Sequence, residues 1–282
     1  MITACILFIL FQADSVITMT VESAAKLFTK AVSASMLADG HIAVVDQGTN
    51  SVVIVSPRNE VVSSVGGKGF GGDSFDLPTD ITSSFLLDLY VADLNNRRVV
   101  RLDHRLNVVQ TLREENIDRR AGSFQPTASA VTAKGDLCIV ERDHKRITVF
   151  NSQGQFIRDV GTFNGSAQKL IDPVDIVVTP DDEIFVLDRH KVVNYDIFGN
   201  ILSVIELEQG FEPVAISYGN RSVIVTSSDR IIVFPRDTNH QFSIQKRSLI
   251  GESVKDSFTD VMVTDSSFII ITQSSLYRCI LP

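Results

Sequence analysis

The chain has no tryptophan, only 4 tyrosines, 3 cysteines and 8 prolines in 282 residues. Cys5, Cys138 and Cys279 are too few and too scattered for a disulfide framework, and none stands in a C-x-x-C pair of the kind that holds structural zinc. Positive charge is also in short supply. Against 34 acidic side chains there are 26 basic ones, a net charge of −8 that opposes association with phosphate backbones. With so few stacking aromatics, nucleic acid is not an expected partner. Long apolar runs are missing too: the longest, Ile2 to Phe11, covers ten residues, where a membrane-spanning helix needs about 20. There is no G-x-S-x-G elbow, no H-E-x-x-H pair and no evident pair of catalytic carboxylates.

Apolar residues are plentiful, at 44%, and charged residues make up 21%. That balance describes a folded chain long enough for one large all-β domain. Residues 1–14 read as a signal peptide or apolar leader with a cleavage site near Ala13, although no Lys or Arg precedes the run and Phe11 replaces the expected small residue. The alternative is a buried first strand. A cleaved leader would make the protein periplasmic, envelope-associated or secreted; without one it would be cytoplasmic. Residues 15–282 read as a single domain.

The domain is repetitive. A short apolar stretch, a turn, a β-rich run ending in an acid or hydroxyl, a polar loop and a second β-rich run recur six times. The closing residues Asp46, Asp93, Glu141, Asp188, Thr226 and Thr272 are 47, 48, 47, 38 and 46 positions apart. Further turns then lead into a fourth run, as in Asn59-Glu60 before Val61-Val62 or Gly199-Asn200 before Ile201-Leu202. Four short strands per unit describe one blade of a β-propeller. The fold class expected is therefore all-β: a six-bladed propeller of four-stranded antiparallel blades. The last unit lacks a fourth strand of its own, so an N-terminal strand should close the ring, and Ser15–Val21 is the candidate.

One unit carries a family likeness. Gly66-Gly67-Lys68-Gly69-Phe70-Gly71-Gly72-Asp73-Ser74-Phe75-Asp76-Leu77-Pro78-Thr79-Asp80-Ile81, followed by Leu89 to Asp93 and Asn95-Asn96-Arg97-Arg98-Val99, resembles an NHL repeat with its glycine-rich connector. Units one, three and four are recognisable, and units five and six keep only the hydrophobic pattern. Related six-bladed families include sugar-lactone hydrolases and amidating-type lyases, which the resemblance brings in as a second functional class.

The stretch Gly66–Gly72 contains a G-x-G-x-x-G spacing but leads into a strand rather than a helix, so it reads as a connector and not a phosphate cradle. Aspartates ending the second runs read as loop caps, and Arg98 and Arg146 as bridges between blades. Cys138 and Cys279 read as core side chains. His144 and His190 fall just past Glu141 and Asp188 and, with Arg142 and Arg189, form the candidate binding surface on one loop face. A third histidine to complete a catalytic zinc set is not found. No cofactor, metal or catalytic residue is assigned. The expected function is a non-catalytic binding module for a protein, peptide or glycan, and a monomer. The alternative is a metal-assisted hydrolase or lyase, lactonase-like or amidating-lyase-like.

Overall fold

The computed structural model describes residues 20–84, 88–117, 124–162, 169–238, 240–251, 254–264 and 267–280. The leader, its cleavage site and Cys5 lie outside the described residues. Blade one comprises β2 (Ala31–Met36), β3 (Ile42–Asp46), β4 (Ser51–Val55) and β5 (Val61–Gly66). Blade two comprises β6 (Pro78–Ser83), β7 (Leu89–Asp93), β8 (Arg98–Leu102) and β9 (Val108–Arg113). Blade three holds β10 (Pro126–Val131), β11 (Leu137–Glu141), β12 (Arg146–Phe150) and β13 (Phe156–Val160). Blade four holds β14 (Pro173–Val178), β15 (Ile184–Asp188), β16 (Lys191–Tyr195) and β17 (Ile201–Glu206). Blade five has β18 (Pro213–Gly219), β19 (Ser222–Ser227), β20 (Arg230–Pro235) and β21 (Phe242–Gln245). A five-residue helix, α1 (Lys246–Ile250), then leads to β22 (Phe258–Val263), β23 (Ser267–Thr272) and β24 (Ser275–Ile280) of blade six.

Each of the six sheets has four antiparallel strands in chain order, except that blade six is completed by β1 (Thr20–Lys26) against β24. The expected closure is present, but the strand begins later than Ser15. Its apolar–hydroxyl alternation suggested Ser15–Val21, whereas the register pairs Val21 with Cys279 and Lys26 with Ser275. The inner strands also start earlier than the sequence indicated, because in β6, β10, β14 and β18 a proline opens the strand.

The near-continuous apolar character of the middle strands has a geometric cause. Successive side chains point to opposite faces, and each face meets a different neighbouring blade. Val44 joins the cluster shared with Ile269 and Ile271 of blade six, while Ala43 and Val45 join the cluster shared with Ile81 and Val91 of blade two. Six such clusters occupy the six blade junctions. Leu249 and Ile250 of α1 enter the junction of blades five and six beside Cys279. Cys138 and Cys279 are buried free thiols in these junctions. Among the described residues no helix is long and apolar enough to cross a membrane.

Candidate active site

An inner strand of a propeller exposes one edge of unpaired backbone N–H and C=O groups to the central channel, and those groups need partners. Three aspartates supply them. In β6, β14 and β22, the inner strands of alternate blades, the third residue is Asp80, Asp175 and Asp260; in β2, β10 and β18 the same place holds Ser33, Ala128 and Ala215. The small residues leave room for the acids to reach sideways. Asp260 accepts the Ala34 N–H of blade one at 2.9 Å and its neighbour's Val261 N–H at 2.7 Å. Asp175 accepts Ile216 N–H of blade five and Ile176 N–H, both at 2.8 Å. Asp80 accepts Ser129 N–H of blade three at 2.7 Å. Its other oxygen accepts the Ser33 hydroxyl at 2.8 Å, and that hydroxyl in turn accepts the Ile81 N–H at 3.2 Å.

Surrounded by strands, these carboxyls resist ionisation. Burial pushes Asp260 up to about 7, against the backbone N–H groups of Ala34 and Val261, which favour the charged form. Burial and then the neighbouring charge of Asp80 hold Asp175 well above the usual carboxylate range. Asp80 is raised by burial, with the Ser33 and Ser129 hydrogen bonds opposing.

The aspartates divide the channel unequally. On one side lies a cavity of about 230 Å³ walled by Met36, Thr82, Val177, Tyr218, Met262 and Val263, with the three acids among its lining. On the other side the space is about 50 Å³. The pairing of Pro78 with Asp93 and Pro173 with Asp188 puts the start of each inner strand beside the loop after the second strand. The larger cavity is walled by the far ends of the inner strands, so it lies toward the face opposite those loops.

The four residues singled out in the sequence sit on the loop face and line neither space. His144 Nδ1 lies 3.2 Å from the buried Glu141 carboxylate, which also accepts Arg146. Arg142 is 3.8 Å from Asp172. Arg189 and His190 are exposed in the turn between β15 and β16. The structure brings no pair of these side chains into contact among the described residues. The second-strand acids cap more than their own loops: Asp46 accepts Gly48 N–H of its own turn but also Thr29 and Lys30 N–H of the incoming connector. Arg98 bonds the connector at Gly71 and Ser74, whereas the described partners of Arg146, Glu141 and Asp159, lie inside its own blade. The glycine-rich stretch is a connector, as expected.

The channel aspartates passed unnoticed in the sequence, although Thr79-Asp80-Ile81, Val174-Asp175-Ile176 and Thr259-Asp260-Val261 repeat in alternate units. The alternation was the available signal. A metal does not fit this donor set: among the described residues no group of three or more His, Cys, Asp or Glu is placed to hold one. Both oxygens of Asp175 and of Asp260 already accept backbone N–H groups.

No protein-family model matches the chain, and no curated protein does. Solved structures do. A streptogramin B lyase superposes with a TM-score of 0.65 at 11% identity, over 92% of this chain and 98% of that one. The fold is that of the streptogramin B lyases. Virginiamycin B lyase from Staphylococcus aureus gives the same TM-score and identity over 92% of this chain and 99% of that one. A catalytically inactive histidine-to-alanine variant of virginiamycin B lyase from Staphylococcus aureus, with quinupristin, gives 0.65 at 14% over 90% and 81%. Lyases of this architecture, one of them a catalytically inactive variant, contradict the expectation of a non-catalytic binding module and the leaning, held as uncertain, against an enzyme. Missing local motifs therefore do not decide between scaffold and enzyme on this fold. At this identity the likeness establishes the fold; the NHL assignment is finer than the comparisons reach.

Proposed function

We propose that the chain is a propeller enzyme of the lyase or hydrolase class whose chemistry takes place in the larger channel cavity. One observation carries the reading: the Asp260 carboxyl, pushed up to about 7, lies in the lining of a cavity of about 230 Å³. A group poised near neutrality exchanges protons most effectively at physiological pH. Asp175, whose carboxyl burial and the neighbouring Asp80 hold well above the usual carboxylate range, is the matching acid. Two buried carboxyls, both raised toward neutrality or above it, face the same cavity.

In the elimination direction, Asp260 as carboxylate takes the proton from the carbon beside a carbonyl. The C–H electron pair forms the new C=C bond, the bond from the adjacent carbon to the leaving oxygen or nitrogen breaks, and Asp175 supplies the proton that atom needs. For hydrolysis the same pair would deprotonate water and protonate the leaving group. The residues present do not fit a metal, and no step is routed through one. The expected protein, peptide or glycan partner narrows to an uncharged acyl group small enough for the cavity, with Met36, Val177 and Met262 as its apolar wall. The likeness of unit two to NHL repeats belongs to the scaffold in this reading, since Asp93, Asn96 and Arg98 bind one another and the connector. A leader in residues 1–14 would carry the activity out of the cytoplasm. Because β1 closes the ring within one chain, a monomer suffices.

The test is a panel of lactones, depsipeptides and esters followed by absorbance of a new C=C bond and by titration of released acid. Turnover should fall by roughly 10²–10⁴-fold in Asp260→Asn. Turnover unchanged by that substitution, or none on any substrate, would refute the reading.

A further inference from the structure

Each channel aspartate reaches across a blade junction: Asp80 from blade two to three, Asp175 from four to five, Asp260 from six to one. Asp80 also holds the Ser33 hydroxyl of blade one, so among the described residues four of the six junctions are tied at the inner edge by a carboxyl group. All three carboxyls open onto the same channel, and among the described residues no cationic side chain lines it. The residues lining its two spaces come from all six inner strands. β2 contributes no titratable group, β6 only Asp80, β10 none, β14 only Asp175, β18 only Tyr218 and β22 only Asp260.

We propose that closure of the propeller ring is proton-linked: the three aspartates lock these blade junctions while at least part of the group is protonated, and the junctions loosen as all three become charged. A protonated carboxyl still accepts the cross-blade N–H through its carbonyl oxygen. Full ionisation keeps those bonds but sets three negative charges facing one another in a poorly solvated channel. The mutual effect is felt at Asp175, where the charges of Asp80 and Asp260 both oppose ionisation.

The direction of the pH dependence follows. Asp80, Asp175 and Asp260 hold protons more tightly folded than unfolded. The folded state then binds more protons than the unfolded one between the ordinary Asp range and neutrality, and stability falls as pH rises through that window. Full stabilisation is present below it. Asp39, Asp103 and Asp196, whose carboxyls are lowered by local hydrogen bonds, act below the ordinary Asp range and leave this window alone.

This inference is independent of catalysis, because it is read from stability. The melting temperature of the full chain should decline between pH 5 and pH 8, and Asp260→Asn and Asp175→Asn should each flatten that decline. Asp103→Asn should leave its slope as in the parent. Calorimetric unfolding in buffers of different ionisation enthalpy should show release of roughly one to two protons at pH 6. That measurement needs no variant, so absence of release would be decisive even if the substituted chains fail to fold; Asp93, which burial also raises, adds to the release from outside the channel, and Asp93→Asn measures its share. Zero release or net proton uptake on unfolding, or a decline in folded variants as steep as in the parent, would overturn the proposal.

Discussion

Asp93 and Arg98 form an ion pair, Nε to Oδ2 at 2.8 Å, with both side chains almost wholly removed from water. Arg98 Nη2 donates to the Gly71 and Ser74 carbonyls, and the carboxylate also accepts Asn96 Nδ2 and the Asp76 N–H. The pair anchors the connector from blade one to blade two. Removing the arginine would leave a buried, underpaired carboxylate, which costs about 3–5 kcal/mol. Arg98→Met should lower the urea midpoint by a corresponding amount, whereas Arg142→Met, at an exposed pair, should change it within about 0.5 kcal/mol.

The same connector makes a sharper steric prediction. Gly66 has a φ of +129°, and a Cβ there would lie 2.6 Å from the Asn50 carbonyl oxygen and 3.0 Å from Phe75. Gly67, at +110°, has open space around it. Alanine at either site incurs backbone strain of about 1–3 kcal/mol, but only at Gly66 must packed atoms also move. Thermal melts should rank Gly66→Ala clearly below Gly67→Ala.

The two described cysteines should be inert in the native state. Burial pushes the Cys138 thiol up to about 12 and Cys279 up to about 11. In a Cys5→Ser chain, Ellman's reagent at pH 8 should modify neither until denaturant is added, when both should react. Stoichiometric labelling of the native chain would contradict their placement in the blade junctions.

Much of this architecture was legible in one sequence, because its signals are local. The second and third strands of every blade are short β-branched runs of fixed spacing, and the structure keeps them within a residue or two. The closing strand was legible only as a need. Its register depends on Val21 meeting Cys279, a contact between distant parts of the chain that no local pattern encodes. The channel was harder still. Asp80, Asp175 and Asp260 matter jointly, and the sequence holds them roughly two units apart among ordinary turn-like aspartates. His144 drew notice as an exposed histidine near an acid, but Glu141 holds it for structural reasons that only the packed loop reveals.

Removing β1 gives the corresponding long-range test. A chain starting at Leu27 would leave β24 with an open edge, uncovering strand backbone for intermolecular pairing. It should melt lower and aggregate on heating, and a synthetic peptide of residues 20–26 added in excess should restore part of the loss. Identical melts with and without the strand would remove its role in closure.

That strand also has a temporal consequence. Of the described strands, the one that finishes the last blade is the first to emerge from the ribosome, and its partner β24 is the last. While the intervening blades are synthesised, the nascent chain must carry an unpaired strand whose partner has not yet been made, so assembly of the complete ring waits for β24.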